Sequence, residues 1–236
     1  LLDYLNLLNT KLVDGIILME KIEKEKIMEK IKDENVFKKI VQCSEYIEEN
    51  GLTYITIDHK KAAYEAVSHL ISIGKKDIYL FSMKKDYTYS TLRREGLIEA
   101  MKDNGLEFKR ENEILLDELS IKEAQKHMNI VLNNREVKNI GIFAVSDVIA
   151  IGVIKALNSK NIKIPQEAAV VGFDNIDFSA VIEPSLTTVS QPGYELGVES
   201  VKSLMRKITG ENNNPEKIIL DYELIVRETT NKFVLK

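Results

Sequence analysis

The sequence predicts an α/β fold of mainly parallel sheets covered by helices on both faces, and three observations carry that reading. An amphipathic helix, a helix stop and a short β-branched or aromatic run follow one another repeatedly along the chain. The strand candidates are continuous apolar runs rather than alternating ones, as expected where both faces of a strand are buried. The stops are Gly or Asn, residues that accept the left-handed conformation closing a last helical turn. Helix and strand alternating in this way imply right-handed crossovers over a parallel sheet.

Taken in order, Leu1, Tyr4, Leu5 and Leu8 have the spacing of one helical face, with no Met, cap or turn before them. The start therefore reads as the rear half of a helix, and the chain as truncated. Val13-Asp14-Gly15-Ile16-Ile17-Leu18-Met19 supplies a strand near 13–19. The helix near 22–33 alternates Lys and Glu around a sparse apolar face of Ile22, Ile27, Met28 and Ile31, which marks a solvated surface and not a nucleic-acid patch. Strands near 39–43 and 54–57 precede a helix near 61–73 that stops at Gly74, ahead of Ile78-Tyr79-Leu80-Phe81 in a strand near 77–82. A helix near 90–104 stops at Gly105 before a strand near 113–116, and a helix near 121–133 leads to a strand near 139–144. The helix near 147–159 stops at Asn161 before a strand near 168–173, and a last helix spans 194–208. Glu211-Asn212-Asn213-Asn214-Pro215 is the one polar connector.

Composition narrows the function. Lys plus Arg is 33 and Asp plus Glu is 37 over 236 residues, a formal net charge of −4. No positive excess is left for sequence-independent binding to phosphate backbones. Apolar runs such as Ile16 to Met19 are far too short to cross a bilayer. A single cysteine, Cys43, excludes an internal disulfide framework and a cysteine-rich zinc site and fits a reducing, cytoplasmic compartment. Neither G-x-S-x-G, a Gly-rich phosphate loop, G-x-G-x-x-G nor H-E-x-x-H occurs. His59, His69 and His127 lie too far apart in sequence for a local metal site and read as ordinary side chains. Neither an enzyme nor a cofactor or metal is expected.

The specific segment runs from Ile140 to Ile208. Ile140-Gly141-Ile142-Phe143-Ala144-Val145 is a strand ending in the helix-capping pair Ser146-Asp147, so a helix N-terminus meets the strand's carboxyl end, where open parallel sheets bind ligands. Ala168-Ala169-Val170-Val171-Gly172-Phe173-Asp174 brings a carboxylate to the same edge.

Asp147-Val148-Ile149-Ala150-Ile151-Gly152, Ile164-Pro165, Val170-Val171-Gly172-Phe173-Asp174, Pro184 with Leu186-Thr187-Thr188-Val189, Gln191-Pro192 and Leu196-Gly197, in that order, resemble the effector-binding region of the lactose/galactose repressor (LacI/GalR) family of transcriptional regulators. Val13 to Ile17, Ile57-Asp58, His69-Leu70 with Gly74, Arg93 with Gly96, and Leu224 to Thr229 are weaker matches that extend the resemblance over nearly the whole chain. It implies two doubly wound lobes of the periplasmic-binding-protein-like kind, joined by three crossings near Asp58, Ser190 and Pro215, with a small molecule in the cleft between them. One lobe would comprise 1–58 and 190–214 and the other 59–189 and 215–236. The first lobe would lack its opening strand-helix-strand. Operator DNA binding is implied only for an intact protein that carries the family's helix-turn-helix.

The resemblance also suggests the ligand-binding residues. Asp174 would hold an effector hydroxyl, a task suited to an acceptor-only carboxylate. Arg93 would supply the complementary donor fork, with its neighbour Arg94 left to solvent. Phe143 stands where some relatives set a ring against the effector, and a core phenylalanine is the competing reading. Ser146 replaces a common Asn, and Ser44 a common Asp, with Glu45 beside it. Tyr87 and Tyr89 lie on the loop before Arg93, and Gln191 at a crossing serves the hinge or the ligand. The helix at 147–159 is apolar around most of its circumference, so one face needs a partner other than the sheet. The resemblance makes that partner a second copy, met through Val148, Ile151, Ile154 and Ile182. Two functions follow: an effector domain sensing a sugar or nucleoside-like metabolite, or a solute-binding protein of a sugar transporter.

Overall fold

The computed structural model describes residues 2–84, 86–135 and 137–231. Along the chain the elements are α1 (Asn6–Asn9), β1 (Ile16–Leu18), α2 (Lys24–Lys30), α3 (Glu34–Phe37), β2 (Ile40–Cys43), β3 (Thr53–Ile57), α4 (His59–Ser72), β4 (Asp77–Met83), α5 (Thr88–Asp103) and β5 (Glu113–Leu116). There follow α6 (Ile121–Asn134), β6 (Ile140–Ala144), α7 (Asp147–Ser159), β7 (Ala168–Asp174), α8 (Phe178–Val181), β8 (Thr187–Ser190), α9 (Gly193–Thr209), β9 (Lys217–Leu220) and β10 (Glu223–Ile225). The chain divides into two units. No helix among the described residues is long and apolar enough to cross a membrane.

The first unit comprises Leu1–Asp58, Tyr87–Tyr89 and Pro192–Asp221. Its sheet is parallel with order β1-β2-β3-β9. Two apolar clusters serve it: Leu5, Leu8, Leu18, Ile27, Ile31 and Ile40 in one, and Val41, Cys43, Ile55 and Leu196 with Leu204 in the other. Neighbouring strand residues Ile40 and Val41 fall in different clusters, as side chains that alternate across a doubly covered sheet must. The helix expected near 22–33 is instead two short ones. Ile31 turns extended after α2, and the Asp33 carboxylate accepts the Asn35 N–H to cap α3, an alternative to helix continuation that Asp offers the backbone.

The second unit comprises His59–Asp86, Ser90–Gln191 and Tyr222–Lys236. Its sheet has the order β10-β8-β7-β6-β4-β5, parallel except for β10, which runs antiparallel to β8. Helix α4 packs on β6, β7 and β8, while α7 packs on β6 and β7 and also on α6. Phe81, Phe143 and Phe173 are fully buried in this sheet.

Two expectations are corrected here. The last crossing lies between Asp221 and Tyr222, not near Pro215, because β9 pairs with β3 at Ile55 and Ile218 and adds an edge strand to the first sheet, and Tyr87–Tyr89, expected in the second lobe, fall in the first unit. Ser190 and Gln191 in turn stay with the second unit, where Ser190 lies opposite both Asp174 and Glu223. The other correction concerns Ile154, which is only 3% exposed. The second face of α7 is covered by α6 of the same chain, so closely that a Cβ added at Gly152 would lie 2.4 Å from the Ile121 carbonyl and 2.7 Å from Ala124 Cβ. Val148, Ile151 and Ile182 remain partly exposed.

Candidate functional site

The carboxyl edge of the second sheet gathers the polar groups. Asp174 is the last residue of β7 and has φ +117°, followed by Asn175 at φ +54°. A non-glycine residue held at positive φ costs on the order of 1–3 kcal/mol and persists only where its surroundings fix it. They do so here. Asn175 donates from its backbone N–H to Thr188 Oγ1 (3.3 Å) and from Nδ2 to Ser190 Oγ (3.1 Å), and its Oδ1 accepts from Arg227 (2.8 Å). The Asp174 carboxylate accepts from Gln191 Nε2 at 2.7 Å and from Ser146 Oγ at 3.0 Å. Ser146 is also the cap of α7, its Oγ accepting the Val148 N–H at 3.3 Å.

Arg93 comes from α5 and is only 3% exposed. Its guanidinium carbon lies over the Phe173 ring, 3.4 Å from the centroid, and Nη1 donates to the Val145 carbonyl. The same nitrogen is 3.8 Å from Asp174 Oδ1, an ion-pair distance too long for a hydrogen bond. Nη2 is 3.2 Å from His59 Nδ1. Burial pushes the Asp174 carboxyl above the ordinary carboxylate range, while Arg93, Ser146 and Gln191 pull it back. The Asp174 side chain keeps about a third of its surface open, so acceptor atoms remain at the edge beside a fixed cation.

Of the residues expected from sequence, Asp174, Arg93, Ser146 and Gln191 are brought together in this unit. Phe143 is not at the edge. It pairs with Val171, two residues short of Phe173, and is fully buried; the ring set against Arg93 is Phe173 instead. Arg94 is not left to solvent but makes a two-pronged ion pair with Glu113, at 2.6 and 3.1 Å. Ser44 and Tyr89 belong to the first unit. Ser44 follows β2 with φ +64°, its N–H donating to Ile55. Glu45 is occupied as a helix cap, accepting the N–H groups of Thr88 and Tyr89 at 3.1 and 3.0 Å, and the Tyr87 and Tyr89 rings stack at 5.2 Å.

Sequence reasoning missed two residues. Asp147 is fully buried and accepts from Thr188 Oγ1 (2.6 Å), Ser179 Oγ (2.5 Å) and the Ile176 N–H (3.0 Å), tying the start of α7 to β8 and to the turn after Asp174. Burial pushes its carboxyl up to about 6 against the pull of the Ser179 and Thr188 hydrogen bonds. Its place after a serine cap was visible, but its partners lie 29 to 41 residues away. His59 is 1% exposed and is not the ordinary side chain expected.

Acceptors and donors thus converge at the carboxyl ends of parallel strands, the edge at which open α/β sheets bind ligands. The family described as "Periplasmic binding protein-like domain" matches residues 51–230. The chain belongs to that family, as an effector-binding domain of the LacI-family type of transcriptional regulator. It is 31% identical over 230 residues to the HTH-type transcriptional regulator RegA of Clostridium saccharobutylicum, covering 97% of this chain and 68% of that protein. To the HTH-type transcriptional repressor CytR of Escherichia coli it is 27% identical, covering 96% of this chain and 65% of the repressor. A LacI-family regulator from Enterococcus faecium, solved with bound ribose, superposes with a TM-score of 0.84 at 26% identity, over 97% of this chain and 83% of that one. These relatives are regulators, not enzymes.

Proposed function

We propose that this chain senses a small polyhydroxylated effector, a sugar or nucleoside-like metabolite, without transforming it, and that in the intact cytoplasmic regulator this binding sets the grip of a helix-turn-helix on operator DNA. The observation that carries the reading is the Asp174 carboxylate, oriented by Ser146 and Gln191 beside the Arg93 guanidinium. A carboxylate accepts two hydroxyl protons and a guanidinium donates in a planar fork, so the pair suits adjacent hydroxyls of a sugar ring. Ribose in the Enterococcus faecium relative supports that ligand class. The regulator reading is preferred over a transporter's solute-binding protein because the curated relatives are regulators.

Calorimetric titration with D-ribose, a hexose, a nucleoside and a sugar phosphate tests it. Truncating one partner of a buried charged contact costs about 2–5 kcal/mol, so Asp174→Ala and Arg93→Ala are each expected to weaken the best probe by more than about tenfold. Unchanged affinity in both variants would overturn the site.

The same reading includes a homodimer. Phe178 and Val181 of α8 are 66% and 74% exposed, and with Val148, Ile151 and Ile182 partly exposed they form the apolar surface offered to a second copy.

A further inference from the structure

We propose that His59 is a positioning residue of this effector site: its neutral imidazole accepts a hydrogen bond from Arg93 and holds the guanidinium over Phe173, with Nη1 turned toward Asp174. The inference rests on the effector reading above for its purpose, but its geometry stands in the ligand-free protein.

Four contacts determine the arrangement. Arg93 Nη2 is 3.2 Å from His59 Nδ1, Nη1 donates to the Val145 carbonyl, the guanidinium carbon lies 3.4 Å over the Phe173 ring, and the His59 and Phe173 rings are 5.9 Å apart. An arginine has only donors, so His59 Nδ1 must be the acceptor and its proton must sit on Nε2. Protonated at both nitrogens, the ring would turn a donor toward a donor and place a second cation against the first. The first residue of α4 is also a poor place for positive charge, because the unpaired N–H groups of a helix start are there. Phe173 lies against the guanidinium carbon, and the two acceptors, Val145 and His59, hold Nη1 and Nη2. Loss of the His59 acceptor would let the group turn and take Nη1 away from its 3.8 Å approach to Asp174.

In the chain, Asp58 precedes His59 and Lys60 and Lys61 follow it. Arg93 faces it from α5, with Asp174 at the end of β7 beyond; β6 and β8 carry no ionisable side chain, and Glu223 of β10 is exposed. The comparison that isolates His59 is with a variant that keeps an acceptor at the same place.

Two measurements test this on the full chain. The first needs no effector. Two-bond proton–nitrogen NMR correlations of the imidazole should show the Nε2-protonated tautomer, assigned by loss of the signal in His59→Asn. The Arg93 Nη protons should be separately resolved in wild type and in His59→Asn, which retains an acceptor, and averaged in His59→Leu, which does not. An Nδ1-protonated ring, or Nη signals unchanged in His59→Leu, overturns the proposal. The second uses D-ribose as the probe. Losing a hydrogen bond that orients a charged group is expected to weaken binding about tenfold in His59→Leu, with His59→Asn near wild type. D-ribose bound equally well by wild type and His59→Leu contradicts the assignment. If D-ribose does not bind at all, the effector reading loses its support and the NMR result alone decides the role of His59.

Discussion

Replacing Asp147 by Asn should stabilise the protein at neutral pH and leave it nearly unchanged in acid. The carboxyl is fully buried and rises from an ordinary 3.8 to about 6, with burial as the largest cause. Because the folded value lies above the unfolded one, the folded chain binds this proton more tightly. The favourable contribution is present in full below about pH 3.8 and is lost as pH climbs through about 6. At 1.36 kcal/mol per pH unit the ionised group costs the folded state about 3 kcal/mol at pH 7. An amide fits the same place: its oxygen can accept from Ile176 N–H and Ser179, and its NH2 can donate to Thr188 Oγ1, which sits 2.6 Å from the other carboxylate oxygen. Urea unfolding of wild type and variant at pH 7 and pH 4.5 reads the difference. The variant is expected to lead by about 1–3 kcal/mol at pH 7, and most of that lead should vanish at pH 4.5. A gap that is the same at both pH values would refute the argument.

Two further outcomes follow from packing. Gly152→Ala must force α7 away from α6, since its Cβ would lie 2.4 Å from the Ile121 carbonyl, and overpacking of this kind costs about 1–3 kcal/mol, read as a lower Tm. Phe178→Ser with Val181→Ser, both on exposed side chains, should convert a dimer to a monomer in sedimentation without lowering Tm, whereas Ile154→Ala should lower stability by about 2–5 kcal/mol through a cavity inside one chain. A monomeric wild type at micromolar concentration would remove the dimer.

The sheet order of helix and strand was legible because buried parallel strands declare themselves as apolar runs. The run Ile140 to Ala144 coincides with β6, and Ala168 to Asp174 with β7. The edge strands β9 and β10 escaped notice: Lys217–Leu220 and Glu223–Ile225 are only four and three residues long and partly exposed, so their place depends on pairing partners far along the chain. Asp174 and Ser146 were readable because each ends or follows a strand at the carboxyl edge. Of the two readings of Phe143, at the effector or in the core, the fold places it in the core, and what decides is register, which a single sequence does not contain: Phe143 lies level with Val171, two residues short of Phe173. Ile154 failed for a related reason. An all-round apolar helix announces two partners but not whether the second is α6 or another chain.

The backbone at Asp174 has an evolutionary consequence. At φ +117° any residue but Gly is strained, so a substitution that loses the Ser146 and Gln191 hydrogen bonds to the side chain also frees the end of β7. Ser146, by contrast, sits in ordinary extended backbone at φ −156°. A lineage drifting toward a new metabolite would therefore keep the carboxylate as a fixed point and vary the groups around it, and a laboratory selection for altered ligand preference would do best to begin at Ser146.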